Sequence, residues 1–168
     1  GHIGTGLIGA QWLMRTLTTM GRPDVAYTIA TQTSYPSWGY MIGKGATTVW
    51  ELWNGDTADP AMNSGNHVMQ IGDLAVWMYE YLAGIRSSSE RPGFQHVVIQ
   101  PVPAGALTFL KASHKSMYGT ITTSWRRDAG HFTLEVTIPP NTSATMWLPA
   151  KDAAAVTESG SPAKFLRI

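Results

Sequence analysis

The chain of 168 residues contains no cysteine, so disulfides and thiolate metal sites are excluded, while cytoplasm, periplasm and secretion all stay open. Charge is sparse. Asp, Glu, Lys and Arg make up 14% of the residues against the usual quarter, and twelve basic against eleven acidic residues leave a net charge of +1. The densest basic cluster is the pair Arg126-Arg127, so nothing here supports nucleic-acid binding through a basic patch. No apolar run approaches the length of a membrane span. His2, His67, His96, His114 and His131 lack the spacing of zinc ligands, and no serine sits in a nucleophile-elbow context. The opening GHIGTG has glycines but neither a preceding strand nor the lysine of a phosphate-binding loop.

What the chain does contain changes character near its middle. Leu7, Ile8, Trp12, Leu13 and Leu17 recur at helical spacing between Thr5 and Met20, and Gly21 then closes the segment. Pro23 suits the first turn of a second helix ending near Gln32. Residues Ser34 to Ser64 show no sustained period and read as a long functional loop or a set of short turns. From Asn66 to Leu82, Ile71, Leu74, Ala75, Met78 and Leu82 predict a third helix closed by Gly84, with Asn66 as its cap. Asp73 falls in its first turns, where a carboxylate suits the helix dipole. The polar run RSSSERP (86–92) reads as a linker. The runs HVVIQP, LTFLKASH, GTITTSW, FTLEVTI and ATMWLP follow, each short and bounded by turn residues, with Asp128-Ala129-Gly130 as a hairpin turn. They predict an antiparallel β-sandwich. Residues 153–168 start a further hairpin, and the closing FLRI resembles a strand cut short.

One stretch stands out chemically. TTVWELWNGD (47–56) places Glu51 between indoles in an otherwise uncharged run, and a carboxylate is costly to bury without a partner. Asp56 and Asp59 lie close by, but Asn54-Gly55-Asp56 and Asp59-Pro60 are turn sequences.

Four segments, taken in order, resemble the C-terminal part of bacterial-type α-L-rhamnosidases. They are YPSWGYMIGKGATTVWELWNGD, NSGNHVMQIGDLAVWMYEYLAGI, PGFQHVVIQPVP and SMYGTITTSWRRDAGHFTLEVTIPPNTSATMWLP. The resemblance implies the last helices of an (α/α)6 barrel (residues 1–85) followed by a C-terminal antiparallel β-sandwich (86–168), both incomplete in this chain. It also implies inverting hydrolysis of terminal α-L-rhamnosyl bonds in glycosides or oligosaccharides, with no cofactor and no metal. In that family the glutamate of the TT-x-W-E block is the general base, here Glu51. The histidine of the N-H motif contacts rhamnose hydroxyls, here His67, and Trp53 (with Trp38 as a lesser candidate) is expected to form an apolar wall against the sugar. The family's general acid lies upstream, and nothing in these residues matches it. The expected partner is therefore the upstream remainder of the same polypeptide, without which apolar surface such as Leu7, Ile8 and Trp12 is left uncovered. The alternatives are a non-catalytic carbohydrate-binding or scaffold fragment, and another (α/α)6 glycoside hydrolase.

Overall fold

Helix α1 (Leu7–Thr19) and helix α2 (Pro23–Ala30) form an antiparallel pair around a tight turn, with Pro23 in the first turn of α2. The computed structural model of the protein describes residues 1–164. The loop expected from 34 to 64 contains a short helix, α3 (Trp38–Gly43), capped by the Ser37 hydroxyl, which accepts the Tyr40 N–H at 2.9 Å. The single helix expected from Asn66 to Leu82 is broken. It consists of a 3-10 turn (Val68–Ile71), helix α4 (Leu74–Trp77) and a π turn (Met78–Leu82), with Gly72 separating the first two pieces. Asn66 caps none of them, since the residue before the first turn is His67.

The cause of the break is close packing. Gly72 lies against α1 so tightly that a Cβ placed there would sit 2.2 Å from the Ala10 carbonyl oxygen. The next residue, Asp73, is 1% exposed. Its carboxylate accepts the main-chain N–H groups of Met14 (3.2 Å) and Arg15 (2.9 Å) and the Arg15 Nε (3.3 Å), and its own N–H donates to the Ala10 carbonyl. One turn on, the Trp77 indole donates to the Thr18 hydroxyl at 2.7 Å. The buried face of α1 is therefore Ala10, Met14 and Thr18, the residues that meet Gly72, Asp73 and Trp77. Of the apolar residues that predicted this helix, Leu13 and Leu17 only border the core, while Ile8 and Trp12 stay 73% and 58% exposed. In the broken helix, likewise, Met78 faces solvent and Trp77 takes the core position. Asp73, at the start of α4, is thus also the inter-helix anchor.

The β part is two three-stranded sheets packed face to face. One has the order β1 (Ile85–Ser87), β2 (His96–Ile99), β6 (Ser143–Met146). The other is a meander of β3 (Phe109–Ser116), β4 (Gly119–Asp128) and β5 (His131–Thr137). Ile85, Val97 and Ile99 from the first share a core with Ile121, Leu134 and Val136 from the second. The architecture is as expected, with two differences. The β2–β6 pairing is parallel, so the sandwich is mixed rather than wholly antiparallel. The expected linker at 86–92 begins inside β1, where Arg86 pairs with Val98. The Asp128–His131 turn closes the β4–β5 hairpin, with positive φ at Ala129 and Gly130, the two-residue geometry that matches strand twist. A small hairpin of β7 (Thr157–Glu158) and β8 (Ser161–Pro162) ends the described chain, and the strand expected at FLRI lies outside the described residues.

Two buried side chains of β4 seal the junction between the halves. The Trp125 indole donates to the Leu82 carbonyl at 2.7 Å and the Thr123 hydroxyl to the Ala83 carbonyl at 3.1 Å. These carbonyls belong to the end of the π turn, where helical partners run out. Gly84 then turns with φ +75, in a position where a Cβ would meet the Pro101 nitrogen at 2.3 Å. Replacing Trp125 with Phe keeps most of the apolar volume and leaves the Leu82 carbonyl unpaired. The expected loss is about 1–3 kcal/mol of stability in urea unfolding. A loss below about 0.5 kcal/mol, the size of a neutral surface change, would count against this bond as the seal.

Candidate active site

The segment Thr48–Leu52 runs beside the returning segment Asn63–His67. The His67 N–H donates to the Val49 carbonyl (2.7 Å) and the Glu51 N–H to the Ser64 carbonyl (2.9 Å). This pairing brings together Glu51 and His67, sixteen residues apart in sequence. Glu51 Oε2 accepts the Ser64 N–H at 2.9 Å and lies 3.9 Å from His67 Nδ1. The Glu51 side chain is 41% exposed and that of His67 20%. Among the described residues Glu51 Oε1 has no hydrogen-bond donor, and His67 Nε2 is buried without a partner. The arrangement is one carboxylate oxygen held, the other unengaged, and an imidazole nitrogen needing a polar contact.

The tryptophans around Glu51 do other work. Trp53 donates its indole N–H to the Thr5 carbonyl at 2.9 Å and meets Trp38 edge to face, with ring centroids 5.5 Å apart. Trp38 is buried and donates to the Gln70 carbonyl at 3.0 Å, so it is core. Trp50 packs on Gly55, where a Cβ would come within 2.8 Å of the indole. These contacts fasten the loop to Thr5, just ahead of α1, and to the 3-10 turn. Trp53 is half-buried, so only its ring surface is left to offer a ligand.

Asp59 acts as a turn residue, accepting the Ala61 N–H at 2.9 Å. Asp56 does more than its turn sequence suggests. Its two oxygens accept the Tyr40 hydroxyl at 3.0 and 2.9 Å, and Lys44 Nζ lies 3.3 Å away. No local pattern links 40, 44 and 56, and only the i, i+4 spacing of Tyr40 and Lys44 on one helix face was there to be read. Two open grooves of about 560 and 570 Å³ lie elsewhere, one lined by Tyr79, Arg86, Phe94 and His114, the other by Arg127, His131 and Phe132. Neither includes Glu51 or His67. Among the described residues no group of three or more His, Asp or Glu is placed to hold a metal ion, and no helix is long and apolar enough to cross a membrane.

Comparison with known proteins now decides the family. The bacterial alpha-L-rhamnosidase 6 hairpin glycosidase domain matches residues 1–82, and the bacterial alpha-L-rhamnosidase C-terminal domain matches residues 84–162. The chain belongs to the bacterial α-L-rhamnosidase family. An alpha-L-rhamnosidase of Streptomyces avermitilis is 42% identical over 154 residues, which are 89% of this chain and 15% of the relative. One of Formosa agariphila is 36% identical over 157 residues, covering 90% of this chain and 17% of the relative. Among solved structures, the S. avermitilis alpha-L-rhamnosidase complexed with L-rhamnose superposes with a TM-score of 0.83 at 39% identity, over 95% of this chain and 16% of that one. The native enzyme of Aspergillus terreus gives 0.82 at 35%, over 89% and 18%. The chain thus spans about a sixth of the length of these α-L-rhamnosidases.

Asp56 generates a pH prediction. Desolvation pushes its carboxyl up, but the Tyr40 hydroxyl and then Lys44 outweigh this and hold it below the ordinary carboxylate range. A lowered folded-state pKa stabilises the fold above the unfolded pKa, and this contribution disappears as pH falls through the folded value. Asp56→Asn is therefore expected to be less stable than the wild type at neutral pH, with the gap closing as the pH drops below the carboxylate range. A gap in melting temperature that stays constant into strong acid would show the bonds to be neutral-state contacts only.

Proposed function

We propose that these residues form the base-carrying part of an inverting α-L-rhamnosidase, acting on terminal α-L-rhamnosyl bonds of glycosides or oligosaccharides. The supporting observation is the half-engaged carboxylate. With Oε2 held by the Ser64 N–H, Glu51 Oε1 is left to take a proton from water. That water attacks the anomeric carbon from the face opposite the leaving group. The carbon–oxygen bond to the aglycone breaks, and a second carboxylic acid protonates the departing oxygen. In an inverting site that acid lies about 6.5–9.5 Å from the base, leaving room for the water.

We assign the acid to the upstream remainder of the polypeptide, which would also cover Ile8 and Trp12 on α1. His67 is assigned to a rhamnose hydroxyl, an assignment supported by its imidazole lying beside the Glu51 carboxylate and being one-fifth exposed. Trp53 is assigned to the apolar side of the sugar through its ring surface. No cofactor takes part. The same proposal divides the chain into a catalytic part, residues 1–85, and a β part, residues 86–168.

The test is Glu51→Gln in the full-length polypeptide, assayed on an aryl α-L-rhamnoside beside other aryl glycosides. The isosteric change removes the base and little else, so kcat should fall about 10²–10⁴-fold while KM changes little. His67→Ala should raise KM as well as lower kcat, because its contact is with the sugar. Wild-type turnover by Glu51→Gln would reduce Glu51 to a loop carboxylate, and a preference for a different aryl sugar would move the enzyme to another substrate.

A further inference from the structure

In a regular antiparallel ribbon the donors and acceptors exchanged between paired residues are main-chain groups. Opposite Glu51 the pattern departs from this in two places. The Glu51 N–H donates to the Ser64 carbonyl, but the returning Ser64 N–H goes to Glu51 Oε2 (2.9 Å) rather than to the main chain. One residue further, the Leu52 N–H donates to the side-chain oxygen of Asn63, Oδ1, at 3.2 Å. Side chains thus complete two of the pairings, and one of those side chains is the carboxylate itself.

The consequence concerns freedom. A glutamate has three side-chain torsions, and one as exposed as Glu51 would sample several rotamers if unrestrained. A single bond from the Ser64 N–H restrains it only while residues 63–64 keep register with 51–52. On the Glu51 side the ribbon is continued past this point by the Asn63 bond. The Tyr40–Asp56–Lys44 network braces the loop from its other end and makes no bond to Glu51, Asn63 or Ser64.

We propose that Asn63 is a positioning residue for Glu51. By holding the Leu52 N–H it keeps Ser64 in register, so that the Ser64 N–H occupies Oε2 and leaves Oε1 for the reacting water. This rests on the reading of Glu51 as the base. Asn63 acts through Glu51 and need not touch the sugar.

The experiment uses three variants of the full-length polypeptide with an aryl α-L-rhamnoside, together with hydrogen-exchange mass spectrometry of the same polypeptide. Asn63→Ala is expected to lower kcat about 10- to 100-fold, the scale of a small misplacement of a reacting group, with KM within about twofold of wild type. Asn63→Asp retains an acceptor at the same place and should recover most of the loss. In the full-length polypeptide, Asn63→Ala should speed solvent exchange in the peptide that contains the Ser64 amide while the peptide that contains the Met14 and Arg15 amides keeps its protection. An unchanged kcat, a rise in KM matching the fall in kcat, no recovery by Asn63→Asp, or protection lost equally at Met14 and Arg15 would each overturn the positioning role. Glu51→Gln separates the two levels. If it is inactive while Asn63→Ala turns over normally, only the positioning role fails, and if it is fully active the base assignment itself fails.

Discussion

The helical half depends on a buried carboxylate. Asp73 is almost wholly removed from water, a state that is unfavourable unless its lone pairs are filled. Two main-chain N–H groups in the middle of α1 and the Arg15 guanidinium fill them. Stripping one partner from a buried pair of this kind typically costs about 3–5 kcal/mol. The bond is therefore strict about geometry: α1 and the segment 70–77 pack in one register or lose the pairing. Gly72 allows the approach, and Trp77 extends the contact to Thr18. The 3-10 turn before Gly72 is fixed in consequence, and His67 starts that turn.

From this anchor the position of the candidate site follows outward. Trp38 ties α3 to the Gln70 carbonyl, and Trp53 ties the loop after Glu51 to Thr5, just ahead of α1. A glutamate flanked by indoles has a plain explanation in these bonds. The tryptophans anchor a loop with few apolar residues of its own, while the carboxylate between them bonds across the ribbon. On the far side, Trp125 and Thr123 finish the carbonyls of the π turn, so the β sheets complete the end of the helical segment as well as their own core. The two family domains meet over satisfied polar groups as well as apolar surface.

Much of this was legible in the sequence, for identifiable reasons. The α1–α2 pair, the hairpin at Asp128–His131 and the strands 109–137 are set by local periodicity and turn chemistry, which act within a few residues. The break at Gly72 was not legible, because the pattern from Ile71 to Leu82 is helical and the reason for breaking lies 62 residues away at Ala10. The burial of Ala10 rather than a larger residue had the same origin, since a bigger side chain could not sit where the backbones at Ala10 and Gly72 nearly touch. The parallel β2–β6 pairing joins segments more than forty residues apart and leaves no local trace. At the candidate site, Glu51 and His67 were singled out through the motifs that contain them, and the structure brings the two together. Asn63, Ser64 and the Tyr40–Asp56–Lys44 network were not, because each acts through a backbone group or a loop partner distant in sequence.

In the proposed function Glu51 Oε1 holds the attacking water while Oε2 is fixed by Ser64. Its most direct test is a crystal structure of the full-length polypeptide with L-rhamnose bound. The expected result is a water or the anomeric hydroxyl within hydrogen-bond distance of Glu51 Oε1, with the His67 imidazole on a sugar hydroxyl and the Ser64 N–H still on Oε2. Rhamnose bound away from Glu51, with the carboxylate turned to bulk solvent, would contradict it.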